Sequence, residues 1–401
     1  MGFLPFSSGG GASISPATIA NPLQTMGWSD PLTWGGRLPG PRDVVQVPAG
    51  RTLLIDQDID IAALEISGTV LFAARDIRVE CDGILVTGAG VLRAGSPEQP
   101  FTHRLTFTLG CTPERELIDG LGSKFLAAVD GGRIELHGPH RASWVILGDT
   151  VAPGAIVLRL SEAVDWVAGD RIAIASGGPE LPLVEERTVF GLSSDGLHVT
   201  LDAPMQHRHL GQNGRVRNAL PGAIARVALL SRTIVVEGDA SAARNSLGAH
   251  CIIAGHAPGE PFPENMRGSV GSFTGVEFRR MGQFNRTGRY PIYWHANGDV
   301  PGNQMIDCVI HSSFQRGVVV AETRGVKIHG NVVHKPLGHG FIVDQADQAQ
   351  DVATMLTTNL TIRPRRVRFA DPAMRDLYER RPRSLWISDS RRPIGEGVGT
   401  E

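Results

Sequence analysis

The segment Val309–Val320 can be laid on Val332–Val343 with a constant offset of 23. His311 falls on His334, Gly317 on Gly340, and Val318-Val319-Val320 on Phe341-Ile342-Val343. A unit this short, with no helical period, cannot bury its apolar side alone. Stacked on copies of itself it can, with coils about 4.8 Å apart, the spacing of paired strands. The repeat therefore predicts a parallel β-helix.

Upstream, Leu53-Leu54-Ile55, Ala63-Leu64-Glu65-Ile66, Val70-Leu71-Phe72, Ile77-Arg78-Val79, Ile84-Leu85-Val86 and Val91-Leu92 are strand-length apolar runs. Glycines at 50, 68, 83, 88, 90 and 95 flank them. With 49 glycines, 26 prolines and 6% aromatics in 401 residues, the composition favours short strands and turns over helices. The expected order is a Gly/Ser-rich lead-in (1–26), then the first coils (27–150), then an inserted small β domain (151–220). Parallel β-helix repeats (221–362) and an Arg-rich tail (363–401) follow. Within the insert, Leu197–Leu201 alternates as a strand, and His207 and His209 sit in a polar, Arg-rich loop.

Several function classes gain no support. A formal charge of −2 gives no argument for nucleic acid. No stretch reaches the length of a membrane span, and Met1–Ser7 lacks a basic or apolar leader. Cys81, Cys111, Cys251 and Cys308 have no CxxC or Cys/His spacing, so they read as buried thiols rather than a zinc site. No cofactor is identified. Ca²⁺ held by Asp, Asn and backbone oxygens is compatible with such solenoids, but no Asp-rich loop argues for it. Lys124, Lys327 and Lys335 are the only lysines. The remaining basic residues are Arg, which reflects either codon usage or a need for bidentate carboxylate contacts. Oligomeric state is open.

The densest chemistry lies in Gly288–Asp299, which holds an Arg, two Tyr, a Trp, a His and an Asp around an apolar centre. An offset of 27 sets Arg289 on Arg316 and His339, Ile292 on Val319, and His295 on Glu322. Arg289 and Arg316 would then hold carboxylates, or pair with structural acids such as Asp307, Glu322 or Asp344. Tyr293 and Trp294 offer sugar-stacking faces, of which at least one should be exposed by strand alternation. His295 and Asp299, joined by the turn-forming Asn297-Gly298, are candidates for proton transfer. His339 or Asp344 would complete the site. His250, His256, His311 and His334 read as structural residues at coil corners. The Arg-rich tail reads as a solvated, partly helical segment or as an anionic-glycan grip.

Two stretches resemble one family. Trp28-Ser29-Asp30, Trp34-Gly35-Gly36, Leu38-Pro39-Gly40, Ile66-Ser67-Gly68 and the close at Leu109-Gly110 resemble the G8 domain. Met281-Gly282-Gln283, Gly288–Ile292, His295, Gly298-Asp299, Ile310-His311, Phe314–Arg316 and Gly338–Phe341 resemble the β-helix of G8 proteins that include cell-surface hyaluronidases and fibrocystin. The resemblance implies an all-β fold: an N-terminal G8 domain, an inserted small β domain and a right-handed parallel β-helix with a lateral groove. It also implies an extracellular or cell-surface setting and an acidic, hyaluronan-like polysaccharide as partner. Where the hyaluronidase members tend to read Pro-Ile-His-Phe-His, this chain reads Pro291-Ile292-Tyr293-Trp294-His295. After the Gly-His step it reads Val343-Asp344-Gln345-Ala346. The functional expectation is binding and endo-cleavage of the polymer by a glycoside hydrolase. The rivals are a non-catalytic glycan-binding or adhesion module, and a polysaccharide lyase.

Overall fold

A computed structural model describes residues 25–110, 120–176, 183–213, 223–256, 267–344, 354–366 and 382–388, with the backbone of Pro16–Thr18 and Val398–Thr400. Its strands form three long sheets that wind together as a parallel β-helix, and one antiparallel sheet beside them. Sheet A runs from Pro16–Thr18 through Val44–Val47, Ile292–Asp299, Val318–Arg324 and Phe341–Asp344 to Leu385–Ser388, and ends on the antiparallel strand Val398–Thr400. Sheet B runs from Thr25–Gly27 to Met355–Thr357, and sheet C from Ile59–Asp60 to Leu360–Ile362. The same three sheets pass without a break from the first coils to the last.

Alternation along each strand sends every second residue inward. In sheet A, Val45, Leu64, Ile84, Leu126 and Cys251 stack on successive strands and are fully buried. One apolar column therefore joins all coils, as the repeat required. The offset of 23 is confirmed residue by residue: Val309 pairs with Val332, His311 with His334, and Val318 with Phe341. Leu385–Ser388 adds a further strand, paired in parallel with Phe341–Asp344.

Glycine has a steric reason at one corner between sheets A and B. A Cβ on Gly68, Gly90 or Gly132 would stand 2.3, 2.1 and 2.1 Å from the backbone oxygens of Pro48, Ile66 and Val86. Each coil is pressed against the one before it at this corner, and no side chain fits. Asparagine does the converse work elsewhere. Asn331 donates to the Met305 carbonyl at 2.8 Å and accepts the Cys308 N–H at 2.9 Å, tying neighbouring coils through a buried amide.

The antiparallel sheet comprises six strands between Trp144–Ile146 and Arg226–Leu229. It has its own core around Trp166, Ile172, Val189 and Leu229. Its other face packs on the outward side of sheet C through Ala173, Ala228, Val309 and Val332. Glu186 pins it there, bonding His334 at 3.0 Å and Lys335 at 2.6 Å. The Trp144 indole N–H donates to the Thr358 carbonyl. His209 is wholly buried rather than lying in an open polar loop.

Cys81, Cys251 and Cys308 are buried free thiols, and burial pushes the Cys308 thiol up to about 12; Cys111 lies outside the described residues. Among the described residues no group of three His, Cys, Asp or Glu is placed to hold a metal, and no helix is long and apolar enough to cross a membrane.

Candidate functional site

The site is built on the outward face of sheet A. Ile292 pairs with Val318, 26 residues on, and Tyr293 with Val319. Leu85, Ala127, Ile252, Tyr293, Val319 and Ile342 form one outward column. Ala254, His295 and Ala321 form the next, and Asp344, one residue past the pair Val320–Val343, continues it.

Tyr293 is the centre of this face. Its hydroxyl lies 2.9 Å from His295 Nδ1, and the two rings stack with centroids 4.8 Å apart and 18° between planes. Tyr290 meets Tyr293 edge-on at 5.0 Å. The Arg316 guanidinium stands 5.8 Å over the Tyr290 ring. Burial, and then Tyr290, Glu322 and Asp344, push the Tyr293 hydroxyl well up, while Arg316 works the other way. Tyr293 is thus held as a neutral phenol between acids and a guanidinium. Burial, and then His256, lower His295, so its imidazole is neutral near pH 7. His339 is buried. Burial, and then Arg316, lower it to about 3, although its Nδ1 accepts the Arg383 backbone N–H at 2.9 Å. That bond places the His339 proton on Nε2.

Charge is polarised along the strands. Arg289, Arg316 and Arg383 stand just before the strands that begin at Ile292, Val318 and Leu385. Glu322, Asp344 and Asp299 lie toward the opposite ends of their strands. Arginines before the strand starts, and Glu322, Asp344 and Asp299 together with Arg324 toward the strand ends, therefore flank the Tyr293–His295 pair.

Three expectations need correction. Trp294 points inward, is fully buried in the helix core, and donates its indole N–H to Asn303 Oδ1 at 2.9 Å. Alternation makes Tyr293 the outward aromatic and denies Trp294 any sugar face. His295 and Asp299 do not form the proton-transfer pair. Asn297-Gly298 makes a bulge within the strand instead of a tight turn, with Ala296 at φ 44° and Gly298 at φ 65°. Asn297 is buried and bonded to Ser269 at both ends of its amide. Asp299 ends the strand, exposed, opposite Arg324. Lastly, Arg289 does not stand over Arg316. The offset is 26, so Tyr290 takes that place, and Arg289 lies against Gly122 beside His250.

Other residues fall where they were expected. His250 bonds the Leu121 carbonyl, His311 pairs with Glu277, and His334 with Glu186, all within packed surroundings. Tyr290, read within the Gly288–Asp299 cluster, and Arg383, read within the Arg-rich tail, were not among the candidate site residues. An offset one residue shorter would have found Tyr290. Of the Arg-rich tail, Arg363, Arg365, Arg366 and Arg383 are described. Arg368, Arg375, Arg380, Arg381, Arg391 and Arg392, with the helix expected near Pro372–Tyr378, lie outside the described residues.

Comparison with known proteins gives two family matches: the G8 domain over residues 33–148 and the CEMIP beta-helix over residues 264–384. Human fibrocystin-L is 30% identical over 368 residues, covering 83% of this chain and 9% of that protein. The chain is homologous to the G8 and β-helix proteins. A Dictyostelium discoideum G8 domain-containing protein is 26% identical over 332 residues, covering 79% of this chain and 27% of that one. The chain thus spans a small part of these relatives. Among solved structures, the Pseudomonas phage phi297 tailspike gp61 aligns over 79% of this chain and 42% of its own, at 14% identity and a TM-score of 0.23.

The G8 match ends just past Trp144–Ile146, the first strand of the antiparallel sheet, and the CEMIP beta-helix match contains Tyr290, Tyr293, His295, Arg316, Glu322, His339 and Asp344. Both matched regions lie on one continuous solenoid.

Proposed function

We propose that this chain binds an acidic, hyaluronan-like polysaccharide across the outward face of sheet A and cleaves it within the chain by hydrolysis, outside or at the surface of the cell. One observation carries the reading: a neutral tyrosine stacked on a neutral histidine, with Arg316 on one side and two carboxylates, Glu322 and Asp344, on the other. Arg316, with Arg289 farther along the same edge, holds uronate carboxylates. Tyr293 and Tyr290 supply the ring faces. Glu322 and Asp344 belong to neighbouring coils, Asp344 in the Ala321 column and Glu322 one residue beyond it, and both act on Tyr293, so they are the pair proposed as the two carboxyls of a glycoside hydrolase. One protonates the glycosidic oxygen, while the other attacks the anomeric carbon or activates water. The Tyr293–His295 pair relays the proton, and His339 fixes the Arg316 edge.

A lyase would need a base to take the proton beside the uronate carboxyl. The raised Tyr293 hydroxyl opposes a tyrosinate in that role. The second reading is binding without cleavage, favoured by Tyr293 standing where the hyaluronidase members carry a histidine. The test is incubation of the protein with hyaluronan, chondroitin and alginate, following chain length and unsaturated-product absorbance. Shortening without absorbance supports hydrolysis, and shortening with absorbance a lyase. Binding without shortening leaves the adhesion module, and no binding to any of them overturns the reading.

A further inference from the structure

A second cluster lies in the antiparallel sheet, far along the chain from the sheet A site. Ser176 follows the strand Arg171–Ala175, and its N–H bonds the Leu183 carbonyl, closing the hairpin onto Val184–Leu192. On that neighbouring strand Glu185 pairs with Ile174, so Glu185 and Ser176 share the core-facing side. His209 arrives from a third segment, fixed by two backbone bonds to Val151 at 3.0 and 3.1 Å.

The three side chains form a relay. Ser176 Oγ lies 2.7 Å from His209 Nδ1, and His209 Nε2 lies 3.1 Å from Glu185 Oε1. Glu185 is oriented in turn by the backbone N–H groups of Gln206 and His207, both at 2.8 Å, and by an ion pair with Arg187. Burial works to raise the Glu185 carboxyl, but these donors outweigh it and hold it below its ordinary range. Burial lowers His209, so the imidazole is neutral. With Nε2–H given to the carboxylate, Nδ1 is left to accept the Ser176 proton. His209 is fully buried, whereas Ser176 is only half-buried and can meet a substrate.

We propose that Ser176, His209 and Glu185 form a second catalytic centre, which cleaves small acyl esters. A nucleophile bonded to a base, and that base to an orienting acid, is the arrangement of acyl-transfer hydrolases, recognised by geometry and role rather than chain order. Here the ring is reversed, with Nδ1 toward the serine. Ser176 Oγ attacks the ester carbonyl and its proton passes to His209 Nδ1. The imidazolium returns that proton to the departing alkoxide, leaving acyl-Ser176. Water, deprotonated by His209, then releases the carboxylic acid. The Ser176 N–H is held by Leu183 and does not serve an oxyanion. The expected acceleration is therefore that of general-base assistance, about 10²- to 10⁴-fold.

The test uses the whole chain with p-nitrophenyl acetate and with a fluorophosphonate probe, followed by peptide mass analysis. The expected result is a covalent adduct on Ser176 and ester hydrolysis at least tenfold faster than in Ser176→Ala, whose circular dichroism matches the parent. Ser176→Cys should regain an acyl adduct, now as a thioester. A folded parent that carries no adduct on Ser176, or a Ser176→Ala protein that hydrolyses the ester equally fast, overturns the proposal.

Discussion

Tyr293 and His295 lie ring on ring, 4.8 Å between centroids, and close a hydrogen bond of 2.9 Å between the phenol and Nδ1. Two residues apart on one strand, they face the same side of sheet A. Removing only the hydroxyl separates its roles. Tyr293→Phe keeps the stack and loses the proton path. We expect kcat on hyaluronan to fall about 10²-fold or more with KM changed less than threefold, measured by reducing-end release. An unchanged kcat would remove Tyr293 from the relay.

The Arg316 guanidinium stands over Tyr290 and beside His339, next to that pair. Arg316→Ala should weaken binding of an acidic polysaccharide about tenfold or more, and Arg316→Lys should recover little, because an ammonium cannot reproduce the bidentate fork. Calorimetric titration at two salt concentrations checks both. A neutral polymer should bind parent and variant alike.

Trp294 belongs to stability instead. It is fully buried, and its N–H meets Asn303 Oδ1, which also accepts the Gly271 N–H. Trp294→Ala should cost about 3–5 kcal/mol. Trp294→Phe should cost less, since Asn303 keeps a donor. Urea unfolding followed by circular dichroism reads both. At a temperature where Trp294→Phe remains folded, polysaccharide affinity should equal that of the parent.

Asn331→Ala strips a buried N–H and a buried carbonyl of their partners, Cys308 N and Met305 O. At about 1–3 kcal/mol for each unsatisfied group, the loss should be several kcal/mol. It should appear first as faster amide exchange in the strands on either side.

His250 and His339 are both lowered to about 3, by burial first and then by nearby arginines. Both are neutral in the folded chain, whereas in the unfolded chain each takes up a proton near pH 6.5. Between those values the unfolded state binds more protons, so stability falls as pH drops from about 6.5 toward about 3. Each residue contributes a slope approaching about 1.4 kcal/mol per pH unit. His339→Gln should flatten the pH dependence of the urea midpoint in that window and leave it unchanged above pH 7.

The interval of 23 between Val309 and Val332 requires stacking, because neither copy can hide its apolar triplet alone; coil order, the inward columns and parallel pairing follow from that local pattern. The same reasoning placed Arg289 over Arg316 and missed by one residue. Register within a coil depends on how many residues its loop and bulge consume, and the bulge at Ala296–Gly298 changes the spacing inside a single strand. Since strand faces alternate, one residue decides everything at the site. It turns Trp294 into the core, sets Tyr290 under Arg316, and hands His295 to Tyr293 rather than Asp299. The sequence by itself determined that this chain is a solenoid carrying a cluster of polar chemistry. Only the tertiary structure decided which members of the cluster share a face, because facing is set by long-range strand register and not by any local preference of the residues.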